Sequence, residues 1–125
     1  MARQPFQRGG MIWVGPSSSL PDLEKTVIVL ADEGGTWRRF PDMWQEGQPE
    51  SDPAITPPDG LQQPVRGFGK IWRESLGGPG AAVGWGTAPE VGLTGGVQRY
   101  EQGWLLRLGD EQVVLTDVGT WRAQR

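Results

Sequence analysis

Seven tryptophans and one crowded run of carboxylates are the residues of this 125-residue chain best suited to chemistry. An indole offers a flat apolar face that stacks on a sugar ring, with one N–H donor at its tip. Trp13, Trp37, Trp44, Trp72, Trp85, Trp104 and Trp121 are the candidates. Asp42, Glu46, Glu50 and Asp52 lie together in one polar stretch. Such oxygens can hold calcium, and paired carboxylates can hydrolyse a glycoside. The calcium spacing Asp-x-Asp-x-Asp-Gly does not occur, so a solvated acidic loop is expected there, with no metal. Histidine and cysteine are both absent. The commonest general base, a thiol nucleophile and thiolate metal sites are thereby excluded. Ser17, Ser18 and Ser19 stand in no Gly-x-Ser-x-Gly frame. Gly67-Phe68-Gly69 lacks the third glycine of a dinucleotide loop, and no Gly-Lys-Ser/Thr phosphate loop is present. The expectation is no catalytic residue and no cofactor.

Those residues must be positioned by a scaffold, and the scaffold announces itself as a repeat. Gln4-Pro5-Phe6-Gln7-Arg8-Gly9-Gly10-Met11-Ile12 near the start is echoed by Gln98-Arg99-Tyr100-Glu101-Gln102-Gly103-Trp104-Leu105-Leu106 near the end. After a turn the match resumes. Leu30-Ala31-Asp32-Glu33-Gly34-Gly35-Thr36-Trp37-Arg38 aligns with Leu115-Thr116-Asp117-Val118-Gly119-Thr120-Trp121-Arg122, with one extra glycine in the first copy. A duplicated supersecondary unit explains this self-similarity. Each copy reads as a three-strand meander: residues 11–14 or 104–108, then the β-branched run 27–30 or 113–116, then 36–40 or 120–123. Gly9 and Gly103 are expected in a turn or bulge before the first of these strands. Asp32 and Asp117, each with glycine two residues on, supply turns. Residues 16–22 expand one hairpin connection into a surface loop.

The whole chain reads as one domain, with copies at 4–40 and 97–123. Between them, residues 41–66 are rich in proline and acid and form a loop or strap, since proline excludes a central strand or long helix. Residues 67–76 are the helix candidate: Phe68, Ile71, Trp72 and Ser75 follow i, i+3, i+4, i+7 spacing, and the glycines from Gly77 stop it. Twenty glycines and eleven prolines fit short strands and tight turns, and the tryptophans argue against disorder. The fold class expected is mainly β: about six strands in a small barrel or pseudo-two-fold sandwich, with one short helix.

Repeat logic sorts the indoles. Trp37 and Trp121 occupy equivalent positions and belong to the core, as does Trp72 on the apolar helix face. Trp13 is replaced by Arg107 in the second copy, which marks the position as partly exposed. Trp44 stands in a polar stretch and Trp85 between glycines. Trp13, Trp44, Trp85 and Arg107 are therefore the candidate ligand-binding residues.

The stretch from Arg66 to Asp117 resembles the LGFP repeats of actinobacterial cell-envelope proteins. The helix, Val83-Gly84-Trp85 with Thr87 and Glu90, then Gly95-Gly96 and Gln98-Arg99-Tyr100-Glu101-Gln102-Gly103 carry the likeness. Val83 replaces the family's leucine, and Gly86 its proline. Pro64-Val65-Arg66-Gly67-Phe68-Gly69-Lys70-Ile71-Trp72-Arg73-Glu74 is also similar to Trp/Gly-rich modules of extracellular Chloroflexota-type proteins. Both resemblances imply an extracellular or cell-surface setting and association with cell wall or glycan.

The net charge of −3, with both signs interspersed, argues against nucleic acid as a partner. No apolar run reaches the length of a membrane span, and the first ten residues contain no signal-peptide h-region. The first functional expectation is a non-catalytic binding module for bacterial surface polysaccharide or peptidoglycan. The second is a structural or protein–protein module, a subunit or decoration protein. The third is a small carboxylate-dependent hydrolase.

Overall fold

A computed structural model describes residues 1–15 and 23–124; the loop expected at 16–22 lies outside them. The architecture is mainly β. Strands β1 (Ala2–Phe6), β2 (Gly9–Val14), β3 (Thr26–Ala31), β4 (Thr36–Pro41) and β5 (Val91–Gly92) form one antiparallel sheet in the order β4-β3-β2-β1-β5. Strands β6 (Gly95–Tyr100), β7 (Gly103–Leu108), β8 (Glu111–Thr116) and β9 (Trp121–Gln124) form a second, in sequence order. The arrangement is a sandwich; the sheets do not close into a barrel.

The repeated unit is therefore a four-strand meander, one strand longer than its sequence pattern suggested. The additional strands are β1 and β6. In β1 the buried positions are Ala2, Gln4 and Phe6, and a glutamine hides the period-two apolar pattern. Gln4 is only 2 % exposed and satisfies its amide by donating from Nε2 to the Ala88 carbonyl at 3.0 Å. Pro5 is tolerated in this strand because the neighbouring segment donates to its carbonyl, from the Thr87 N–H at 3.0 Å, and asks nothing of the missing proline N–H.

Gly9 and Gly103 are the first residues of β2 and β7. They stand in the ladder, opposite Ala31 and Thr116. Their requirement is steric. A Cβ on Gly9 would collide with the Leu30 carbonyl oxygen, and one on Gly103 with that of Leu115. The same glycine thus answers the same close approach in both copies.

Two cores flank the first sheet. Ile12, Val14, Ile28 and Leu30 face Leu106, Leu108, Val113 and Leu115 across the sandwich. On the other face, Met11, Val27 and Val29 pack under Phe68, Ile71 and Trp72. Those three come from helix α1 (Arg66–Glu74), so helix and strap form a third layer over the first sheet. The helix stops two residues earlier than its spacing suggested, and Ser75 is exposed. Ser75 and Leu76 both donate to the Ile71 carbonyl, and Gly77 turns the chain away at φ 97°.

The copies grip each other reciprocally. Trp37 donates from Nε1 to the Thr116 carbonyl at 2.8 Å. Trp121 donates from Nε1 to the Ala31 carbonyl at 2.9 Å. Ala31 and Thr116 are repeat equivalents, and Thr36 and Thr120 form an antiparallel bridge between these two bonds. A local pseudo-two-fold relation follows, with both indoles packed against the inter-sheet core.

Two outcomes test this account by urea unfolding. Gly103→Ala is expected to cost about 2 kcal/mol or more, because the backbone must shift around the new methyl; an unchanged midpoint refutes the close-approach argument. Trp37→Phe and Trp121→Phe are each expected to lose about 1 kcal/mol, the worth of one hydrogen bond. Losses differing by several-fold would show that the two indoles are not equivalent.

Candidate functional site

On the helix-covered face of the first sheet, one cavity gathers two of the candidate tryptophans. Strand β2 presents Trp13, between Ala2 of β1 and Val27 of β3. Asp42 follows β4 directly, its N–H donating to the Lys25 carbonyl at 2.9 Å. Its carboxylate then organises both indoles. Oδ2 accepts from Trp13 Nε1 at 3.0 Å. Oδ1 accepts from the Trp44 backbone N–H at 3.2 Å, a turn closed by an aspartate side chain. Trp44 is held at its far end by donating from Nε1 to the Pro49 carbonyl at 3.2 Å. The carboxylate lies so close to the helix that a Cβ at Gly67 would come within 2.7 Å of Oδ1.

The opposite wall comes from the first turn of α1 and from β5. Arg66, Gly67, Phe68, Glu90 and Gly92 join Trp13, Asp42 and Trp44 around about 440 Å³ of space. That volume lies within the roughly 300–1,000 Å³ range of small-molecule sites, as does the mixture of aromatic wall and few polar groups. Arg66 ties the walls together. Its N–H donates to the Glu50 carbonyl at 2.8 Å, and its guanidinium contacts Glu50 at 3.1 Å and Glu90 at 3.0 Å. The nearby Glu90 charge, foremost, and bonds from both carboxylates raise its pKa above the ordinary arginine value, against an opposing effect of desolvation. Arg66 adopts φ 53°, a left-handed conformation costly for a residue with a Cβ.

The other two candidates lie elsewhere. Trp85 packs on Trp72 with ring centroids 5.2 Å apart, and its backbone N–H donates to Gln7 Oε1. Arg107 projects from the outer face of the second sheet and donates from Nη2 to Gln98 Oε1 at 2.8 Å. Trp72 is fully buried and donates from Nε1 to the Gly84 carbonyl. Trp104 packs edge-on to Trp37 at 5.7 Å, with the Arg99 guanidinium 4.2 Å from its ring centroid.

Three of the four carboxylates of the acidic run have separate structural duties. Asp42 serves the tryptophans, Glu50 serves Arg66, and Asp52 caps the Ala54 N–H while exchanging bonds with Gln63. Among the described residues no group of three or more carboxylates is placed to hold a metal ion. Arg66 and Phe68 escaped selection as site residues. Phe68 was legible only as an apolar helix position. Arg66 carries no local signal, because its partners Glu50 and Glu90 lie far from it in sequence.

Comparisons with protein-family models, curated proteins and solved structures return no match to this chain.

The backbone of Arg66 yields a direct test. Arg66→Gly and Arg66→Ala both delete the guanidinium, but only glycine is at ease at φ 53°. Arg66→Gly is expected to be the more stable variant by about 1 kcal/mol. Equal midpoints in thermal unfolding would refute a constrained left-handed conformation.

Proposed function

We propose that the protein is a non-catalytic binding module for a bacterial surface polysaccharide, peptidoglycan included, and that the Trp13–Trp44 cavity is its ligand site. One observation carries the reading: two indoles distant in sequence line one cavity, the Trp13 Nε1–H and the Trp44 backbone N–H both bound by the carboxylate of Asp42. A pyranose has apolar C–H faces and a rim of hydroxyls. Indole faces suit the first, and carboxylates and a guanidinium suit the second. Both indoles are pinned through their N–H groups, so the rings are oriented before any ligand arrives, which lowers the entropy cost of binding.

The same bonds favour binding over catalysis. Both Asp42 oxygens already accept protein N–H groups, and Glu90 is engaged by Arg66. The sequence offers no histidine or cysteine to take over proton transfer or attack. The resemblance to cell-envelope repeats supports the cell-wall setting and an extracellular location.

The second reading, a protein–protein module, draws on the outer face of the second sheet. Gln98, Leu105, Val114 and Arg122 form one row across its strands. The equivalent face of the first sheet is roofed by α1.

Retention on insoluble peptidoglycan and polysaccharides, with fluorescence titration of soluble fragments, tests the proposal. Trp44→Ala is expected to weaken binding about tenfold or more, equivalent to about 1.4 kcal/mol. Arg107→Ala, on the far sheet, is expected to leave it unchanged. Full retention by Trp44→Ala, or no retention on any polymer, would overturn the assignment.

A further inference from the structure

We infer that a second cavity, adjoining the first at Trp44, receives a carboxylate-bearing sugar unit next to the one at Trp13. This rests on the glycan reading above and names the class of glycan. The second cavity encloses about 380 Å³ and is bounded by Trp44, Ser51, Asp52, Lys70, Arg73 and Glu74, with prolines of the strap. Among the described residues, Trp44 alone lines both spaces. A saccharide chain passing its ring therefore meets both, and the smallest ligand using the whole site is a disaccharide.

The two cavities differ in which charges are already committed. In the first, the guanidinium of Arg66 is engaged by Glu50 and Glu90. In the second, Lys70 is paired with Glu74 at 2.9 Å, and Asp52 caps the strap through Oδ1. Arg73 is different. Its Nη1 is buried without a hydrogen-bond partner among the described residues. Gly69 makes room for it, since a Cβ there would lie 2.8 Å from that nitrogen. A guanidinium that lines a concave, part-aromatic space and whose Nη1 has no hydrogen-bond partner among the described residues is matched by a carboxylate. Lys70 keeps the Glu74 carboxylate beside it neutralised. A neutral or N-acetylated sugar at Trp13 followed by an acidic sugar at Arg73 satisfies both cavities.

The test compares two probes differing by one carboxylate. N,N′-diacetylchitobiose is neutral; N-acetylglucosaminyl-N-acetylmuramic acid carries a lactyl carboxylate on its second ring. By calorimetry on the full chain, the acidic disaccharide is expected to bind about tenfold more tightly, and Arg73→Gln to abolish that difference while leaving chitobiose affinity intact. Equal affinities for wild type, or a preference surviving in Arg73→Gln, overturn the inference. Equal binding of both probes, lost in Trp44→Ala, would leave the glycan reading standing while this inference falls. Binding of neither probe, with no retention on any polymer, would sink both. If Arg73→Gln does not fold, Lys70→Gln, which leaves Glu74 unneutralised beside the cavity, must reduce the same preference. An undiminished preference there overturns it equally.

Discussion

The reciprocal bonds of Trp37 and Trp121 are the constraint around which the molecule is arranged. Each indole crosses to the other copy and finds the carbonyl of the last residue of that copy's third strand, Thr116 of β8 or Ala31 of β3. An indole N–H buried without an acceptor is costly, so each copy needs the other in one orientation. That requirement fixes how the sheets face and brings Ile12, Ile28, Leu106 and Leu115 into one core. Apolar contact alone would tolerate sliding; the paired directional bonds do not.

Given that frame, the functional asymmetry comes from what each copy does with its outer face. In the first copy the outer residues include Met11, Trp13, Val27 and Val29, which bury under helix and strap. Their counterparts in the second copy include Leu105, Arg107, Gln112 and Val114, and Arg107 is exposed. Duplication supplied two similar platforms. Insertion of the middle segment roofed one of them; the first cavity lies in the seam between roof and platform, and the second lies within the roof, between strap and helix.

Much of this was legible in the sequence. The repeat, the mainly-β sandwich, the helix face of Phe68, Ile71 and Trp72 and the core placement of Trp37 and Trp121 follow from spacing and from equivalence between copies. Strands β1 and β6 did not, because Gln4 occupies a buried position and Pro5, Gln98 and Arg99 break the apolar alternation of a strand. Gly9 and Gly103 were visible as special, but their reason, a carbonyl oxygen from a strand elsewhere in the chain, is purely tertiary. The site divides similarly. The Trp13-to-Arg107 exchange marked an accessible position, and Trp44 stood out in its polar surroundings. The carboxylate that unites them, the arginine that closes the wall and the placement of Trp85 against Trp72 all depend on contacts between distant segments.

The clamp of Arg66 on Glu50 and Glu90 makes the recognition surface and the scaffold respond to different variables. The sandwich is held by apolar burial, which added salt leaves standing or strengthens. The clamp joins strap, helix and β5 through side chains that are 45 %, 59 % and 22 % exposed. Ionic atmosphere screens such groups over about 10 Å at 0.1 M salt. The width between the strap and β5 is thus set in part by the medium, while the platform beneath is not. Ionic strength can tune the mouth of the site without placing the fold at risk.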